Sequence, residues 1–302
     1  MRTQYVLNIL TGIYMRQLNF DLKQLIKRNH DGAYSTQAGR ERILTQVANQ
    51  LHELGYRNLA ARSLKTKHVD ALVEKWKGED LSAGTIKNRM AALRWWAEKI
   101  NKPSLIAKDN DRYGIAHRVY VTNVSKACEL DTEKLNKISD PYIRLSLKLQ
   151  ESFGLRREES IKFICVWADR CDSIVLKASW SKGGREREIP IRNEMQRSIL
   201  NEVKAFTKSR SLIPSNLTYV QQLRRYEDHT AKVGLNKNHG LRHAFAQQRY
   251  YEITGRLAPA LGGKSSKELT EEEKLLDKQA RLIISAELGH KREQVAAIYL
   301  GR

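Results

Sequence analysis

Four short stretches of the sequence combine residue types that can work on a phosphate. Gly154-Leu155-Arg156-Arg157-Glu158-Glu159 opens a helical pattern with two arginines. A helix N-terminus already favours anions, and an arginine there can grip two phosphate oxygens at once. Arg156 and Glu159 could equally form an ordinary surface ion pair three residues apart. Lys182, followed by Gly183, Gly184, Arg185 and Arg187, sits on a glycine turn. From there a lysine can reach a bound duplex and deliver a proton, provided neighbouring cations lower its pKa. His239-Gly240-Leu241-Arg242-His243 sets His239 and Arg242 about one helical turn apart. His239 and His243 also have the spacing of metal ligands, but Gly240 stands where the HExxH pattern has glutamate and no clear third ligand follows. Finally, Leu288-Gly289-His290 is followed nine residues later by Tyr299.

The overall charge says what such a site would meet. The 302 residues hold 54 Lys plus Arg against 34 Asp plus Glu, a net +20, which favours a polyanion through counterion release and long-range attraction. Residues 1–120 and 121–302 each carry +10, so the basicity belongs to the whole chain and not to a tail. With 41% hydrophobic and 29% charged residues the composition is that of a globular protein, not of a disordered or collagen-like one. No stretch approaches the ~18–20 apolar residues of a membrane span, and the N-terminus has no small-residue cleavage site. Three cysteines, Cys128, Cys165 and Cys171, without CxxC spacing fit a reducing cytosol and structural roles.

The elements that must position these residues are mostly helical. Ile43, Val47, Leu51 and Leu54 give residues 39–54 one apolar face, with Ser35 or Thr36 near its start. A second pattern runs over 67–77 through Val69, Leu72 and Trp76, and a third follows Ser82 with Ile86, Met90, Leu93 and Ala97. On that third helix Lys87, Arg89 and Arg94 fall off the apolar stripe and could offer cations to phosphates, although alone they read better as a solvated charged face; with Arg185 and Arg187 they are the candidate nucleic-acid contacts. Periodicity fades over 101–125, around Pro103 and Gly114, where a linker is expected. Further helices are predicted over 132–153, 156–167, 193–209, 217–231, 240–255, 270–287 and 292–300. Between them, 174–180 and 185–191 read as a β-hairpin with its turn at 181–184. The fold class is therefore mainly α with a small antiparallel sheet.

Taken in order, Arg156 with Glu159, Lys182 in a hairpin, His239 with Arg242, then His290 and Tyr299 resemble the tyrosine recombinase family, the integrases of phages and mobile elements. The match covers about 127–302, and Leu81 to Lys99 is similar to the end of that family's helical core-binding domain. The resemblance implies a flexible N-terminal arm over 1–16, a SAM-like core-binding domain over 17–103, a linker over 104–126 and a catalytic domain over 127–302. It implies strand exchange on double-stranded DNA attachment or recombination sites, with no cofactor and no metal. Tyr299 would be the nucleophile, Arg156 and Arg242 the phosphate clamp, and Lys182 the acid for the 5′ oxygen. His239 would be an acid or base, His290 a donor to a non-bridging oxygen, and Glu159 a support for the cations.

Further partners implied are three more copies of the chain in a tetrameric synapse passing through a Holliday junction, and DNA-bending accessory proteins or a directionality factor. Membranes are not among them, and the location expected is the bacterial cytoplasm, at the nucleoid. Two other readings use the same residues: an inactive DNA-binding or architectural protein on this scaffold, and a type IB topoisomerase-like relaxer. The sequence departs from the family pattern in the 51-residue spacing from His239 to His290, where 257–276 reads as an insertion forming a surface loop and helix that touches a neighbouring subunit or nothing. Only three residues follow Tyr299, and Lys177 is a minor rival to Lys182.

Overall fold

Apolar residues at helical spacing account for the first of two compact units, Met1–Val119 and Tyr120–Arg302. The computed structural model describes residues 16–181, 183–290 and 292–302. Nearly all of the arm expected over 1–16 therefore lies outside the described residues, as does Lys182.

In the first unit, helices α1 (Gln17–Arg28), α2 (Tyr34–Glu53), α3 (Thr66–Gly78) and α4 (Ala83–Lys99) enclose one core. Leu18, Leu22 and Ile26 repeat every four residues along α1, and Leu44, Val47 and Leu51 of α2 are completely or almost completely buried. The two largest core side chains keep their polar atoms satisfied: Trp76 Nε1 donates to Gln50 Oε1 at 2.9 Å and Trp96 Nε1 to the Ala61 carbonyl at 3.0 Å. Ser82 caps α4, its hydroxyl accepting from the Thr85 amide at 3.2 Å. Helix α2 begins five residues before the predicted start, because its first turns are exposed and carry no apolar signal. The division between the units falls inside 104–126, and the first part of that stretch contributes Ile106, Tyr113 and Ile115 to the core.

The second unit holds α5 (Thr132–Lys137), α6 (Pro141–Phe153), α7 (Arg157–Ile161), α8 (Cys165–Ala168), strands β1 (Ser173–Leu176) and β2 (Arg187–Pro190), then α9 (Glu194–Thr207), α10 (Tyr219–Lys232), α11 (His239–Thr254), α12 (Glu271–Glu287) and α13 (Glu293–Leu300). The strands pair antiparallel, with Ser173 opposite Pro190 and Leu176 opposite Arg187. They are shorter than the predicted runs, and a ten-residue connection replaces the tight turn. The chain leaves the ladder after Leu176 so that Trp180 can bury edge-on to Trp167, with ring centres 5.4 Å apart.

The expected insertion over 257–276 packs on its own unit instead of standing free. Ala258 and Leu269 are buried, and the turn Pro259–Leu261 lies against α13. Among the described residues no helix is long and apolar enough to cross a membrane.

Candidate active site

Gly154 ends α6 with φ at 60°, a left-handed turn in which an added Cβ would lie 2.5 Å from the Phe245 ring. The turn presents the Gly154 carbonyl to Arg242 Nη1 and lets α7 begin with Arg156 as its N-cap. Glu159, one turn into α7, reaches back: Oε2 accepts from the Arg156 amide at 2.7 Å and Oε1 from Arg156 Nη1 at 2.7 Å. Its side chain is wholly buried, so this is no surface ion pair.

A second guanidinium closes on the same carboxylate. Arg187 donates from Nη1 to Oε1 at 2.8 Å and from Nη2 to Oε2 at 2.6 Å, while its Nε donates to the Glu287 carbonyl at 2.9 Å. Arg187 was expected at the DNA surface; it is buried because β2 turns Arg187 and Ile189 inward and Glu188 and Pro190 outward. Burial by itself would raise the Glu159 pKa, but the hydrogen bonds and charge of Arg187, with the charges of Arg156 and Arg242, hold it at about 2. One carboxylate thus meets three guanidiniums, and the cluster keeps a net positive charge.

Those two guanidiniums lie side by side. Arg242, 1% exposed, donates from Nη2 to the Leu288 carbonyl, and Arg156 Nη2 donates to the same carbonyl at 3.3 Å. Burial brings the Arg242 pKa down to about 10, which still leaves it charged at neutral pH. Its Nε donates to Tyr299 Oη at 3.2 Å. The Leu288-Gly289-His290 motif acquires a physical reason here. Leu288 ends α12 and supplies the shared carbonyl. Gly289, at φ 73°, turns where a Cβ would crowd Arg187 Cδ at 3.0 Å. His290 meets Arg156 Nη2 through Nε2 at 3.3 Å. Arginine can only donate, so Nε2 is the acceptor and the ring proton belongs on Nδ1.

Tyr299, 5% exposed, stands among three imidazoles, with ring centres 4.7 Å from His243, 6.1 Å from His290 and 6.3 Å from His239. His239 opens α11, and Gly240 follows it because a Cβ there would meet Cys128 Sγ at 2.6 Å and the Lys126 carbonyl at 2.7 Å. Beside Arg156 and His239 opens a cavity of about 610 Å³ walled in part by Tyr219, Lys237 and Asn238. Among the described residues no group of His, Cys, Asp and Glu is placed to hold a metal ion.

The other expected positions divide. Arg89 is buried against the Trp76 ring, 5.2 Å from its centre, and is not at the surface. Arg94 is half-buried and spent on the Ala107 carbonyl at 3.0 Å and Asn110 Oδ1 at 2.7 Å. Both fall off the narrow apolar stripe, which suggests an outward position, but α4 buries a wider face. Lys87 is half-buried and Arg185 exposed. Lys177 lies over the Trp167 ring at 4.4 Å. Sequence reasoning missed the role of Arg187, for which strand alternation with Ile189 was the available signal. It also missed the Gly154 and Leu288 carbonyls, for which side-chain patterns hold no signal.

Burial, with the charges of nearby cations, lowers the pKa values of His243 and His290 to about 4. Below about pH 6.5 the unfolded chain takes up protons at these histidines, whereas the folded chain does not until about pH 4. Stability should therefore fall as pH drops through that window. The thermal midpoint measured between pH 7 and 5 should decline more shallowly in His243→Gln than in the unaltered protein; equal slopes would contradict this.

The family described as "Phage integrase, N-terminal" matches residues 15–102, and that described as "Integrase" matches 116–248. No curated protein matches the sequence. Among solved structures the chain is similar to a lambda integrase dimer bound to a COC′ core site, with 17% identity and TM-score 0.59 over 99% of this chain and 85% of that one. It is also similar to XerH site-specific recombinase bound to difH substrate, with 17% identity and TM-score 0.55 over 98% and 84%. A third is the Tn1549 transposon integrase with circular intermediate DNA, with 15% identity and TM-score 0.55 over 95% and 96%. At these identities the likeness shows the fold.

Proposed function

The chain belongs to the site-specific tyrosine recombinases of the phage-integrase type, and from that premise we propose that Tyr299 cuts and rejoins DNA in the integration or excision of a mobile element. The observation that carries the reading is the Arg242 Nε to Tyr299 Oη hydrogen bond of 3.2 Å, beside an Arg156 that shares the Leu288 carbonyl with Arg242. A phosphate entering there meets the attacking oxygen and two fixed cations together.

Tyr299 Oη bonds to the phosphorus as the bond from phosphorus to the 5′ oxygen breaks. Arg242 already occupies a lone pair of Oη, so the phenolic proton is free to pass to His239. Burial and the charges of Arg242 and Arg156 lower the His239 pKa, which keeps the ring neutral and able to accept it. Arg156 and Arg242 neutralise the extra charge on the pentavalent phosphorus, a bidentate task that lysine fills less well. His290 donates to a non-bridging oxygen, and Lys182 protonates the leaving 5′ oxygen. The products are a 3′-phosphotyrosyl ester and a 5′ hydroxyl. No water is consumed, so a 5′ hydroxyl from the partner duplex can reverse the step. Glu159 supports the cations from behind.

On this reading 17–103 is the core-binding domain and 127–302 the catalytic domain, with Lys87 and Arg185 as phosphate contacts. Four copies exchange strands through a Holliday junction, with DNA-bending or directionality factors where the sites require them, in the cytoplasm at the nucleoid. Neither an inactive DNA binder nor a topoisomerase-like relaxer is favoured by the relatives named above, which are all integrases or recombinases. The test is covalent trapping on nicked, labelled duplexes from the ends of the element that carries the gene. A protein–DNA adduct on a denaturing gel is expected. Bound DNA with no adduct, on nicked duplexes and on a full pair of attachment sites alike, would favour the inactive binder.

A further inference from the structure

Helix α13 has eight residues, fewer than the ~12–15 a helix needs to persist alone, so the direction of Tyr299 is set by what grips the helix end. Four backbone groups there are met by side chains from elsewhere in the same unit. The Tyr299 carbonyl accepts from Gln247 Nε2 at 2.8 Å, and the Gly301 carbonyl from Arg281 Nη1 at 2.9 Å. Asn123 meets Arg302 twice, with Nδ2 donating to its carbonyl at 2.9 Å and Oδ1 accepting from its amide at 2.8 Å.

The grips are themselves held. Gln247 and Arg281 are 3% and 5% exposed. Gln247 Oε1 accepts from Ser125 Oγ at 3.0 Å. Arg281 Nε donates to Asp277 Oδ2 at 2.8 Å, and Asp277 Oδ1 accepts from the Tyr250 hydroxyl at 2.6 Å. Asn123 has φ at 49°, a left-handed conformation that asparagine tolerates better than most residues. Gly301, at φ 79°, runs so close to the 259–260 turn that a Cβ would lie 2.7 Å from the Ala260 nitrogen. The segment carrying Asn123 and Ser125 also reaches the opposite side of the site, where the Cys128 amide donates to the Gly240 carbonyl at 3.3 Å, beside His239.

We propose that Asn123, Gln247 and Arg281 are positioning residues for the nucleophile: they clasp the end of α13 so that the Tyr299 phenol is presented to Arg242 of its own chain. Ordinary helix termination leaves the last carbonyls to water or to a local turn. Here three separate elements converge on them, two through buried side chains tied into further hydrogen bonds. Among the described residues none of the three hydrogen-bonds to Arg156, Arg187 or Arg242, so the clasp acts on the attacking oxygen and not on DNA affinity. The inference rests on Tyr299 being the nucleophile.

The test compares single-turnover adduct formation at saturating nicked duplex with equilibrium binding of the same duplex. The proteins are the unaltered chain, Asn123→Gly, Asn123→Asp and Gln247→Met. Glycine keeps the left-handed backbone and removes both bonds to Arg302; aspartate keeps the acceptor alone. A misplacement on the order of 1 Å can cost about 10²-fold in rate, so Asn123→Gly and Gln247→Met should lose roughly that factor with their dissociation constants unchanged. Asn123→Asp should recover part of the loss. If both variants cut at the unaltered rate while the unaltered protein forms its adduct, the clasp is overturned and the recombinase reading stands. A rate loss matched by equal losses of DNA affinity and thermal stability also overturns it, since the role would then be structural. If the unaltered protein forms no adduct with any duplex, the nucleophile assignment falls and the clasp with it.

Discussion

A Tyr299→Phe protein is expected to bind DNA as the unaltered chain does and to form no covalent adduct at all. The substitution removes one oxygen and nothing else. The ring keeps its place among His239, His243 and His290, and the helix end keeps its partners on backbone atoms. Arg242 loses its Nε acceptor but still donates to the Gly154 and Leu288 carbonyls, so the folding cost should stay at about 1–3 kcal/mol. The chemical loss should be total, because among the described residues no other side-chain hydroxyl hydrogen-bonds to Arg156 or Arg242. Fluorescence anisotropy of a labelled duplex, beside a denaturing gel of the same mixture, separates the two effects. An adduct that survives the substitution would remove Tyr299 from the reaction.

Glu159→Gln should damage both stability and chemistry, for separable reasons. The carboxylate is the counter-ion of a buried Arg187, lies 2.7 Å from Arg156 Nη1 and is 3.9 Å from Arg242 Nη1. A neutral amide leaves three guanidiniums with no balancing charge in a water-poor site. Breaking a buried pair from one side costs about 3–5 kcal/mol, which for a unit of this size lowers the melting midpoint by roughly 10 °C. Adding Arg187→Met to the first change removes the stranded charge and should restore most of the midpoint. Adduct formation should stay slow in the double variant, because Arg156 still lacks the carboxylate that aims it. Full recovery of cleavage along with stability would mean that Glu159 serves folding alone. Calorimetry and single-turnover cleavage on the two proteins decide between these outcomes.

What could be read from the sequence, and what could not, follows the range of each interaction. The helical patterns over 67–77 and after Ser82 gave α3 and α4 closely, since an apolar stripe every three or four residues is a local signal. The spacing of His239 with Arg242 and of His290 with Tyr299 was equally local, and the structure brings all four beside Arg156. The short hairpin was misjudged in extent because the burial of Trp180 against Trp167, thirteen residues away, decides where the ladder ends. Arg187 and Arg89 were misread as surface cations, since a charged residue on an inward position looks solvated until its partner is known. In Arg187 that partner is Glu159, 28 residues earlier on another element. The acceptors that align Arg156 and Arg242 are backbone carbonyls at the ends of α6 and α12, and their direction comes from turns that only the folded chain defines.

In the proposed reaction one oxygen, Tyr299 Oη, becomes bonded to a 3′ phosphate. Trypsin cleaving after Arg292 would release Glu293–Arg302, a ten-residue peptide containing Tyr299 as its one hydroxyl-bearing side chain. The most direct measurement is therefore mass spectrometry of that peptide after trapping on a nicked duplex and nuclease digestion. The expected result is the peptide carrying a nucleotide through its 3′ phosphate on Tyr299, with a free 5′ hydroxyl on the released strand. A nucleotide on any other residue, or a 5′-phosphate linkage on this one, would contradict the account.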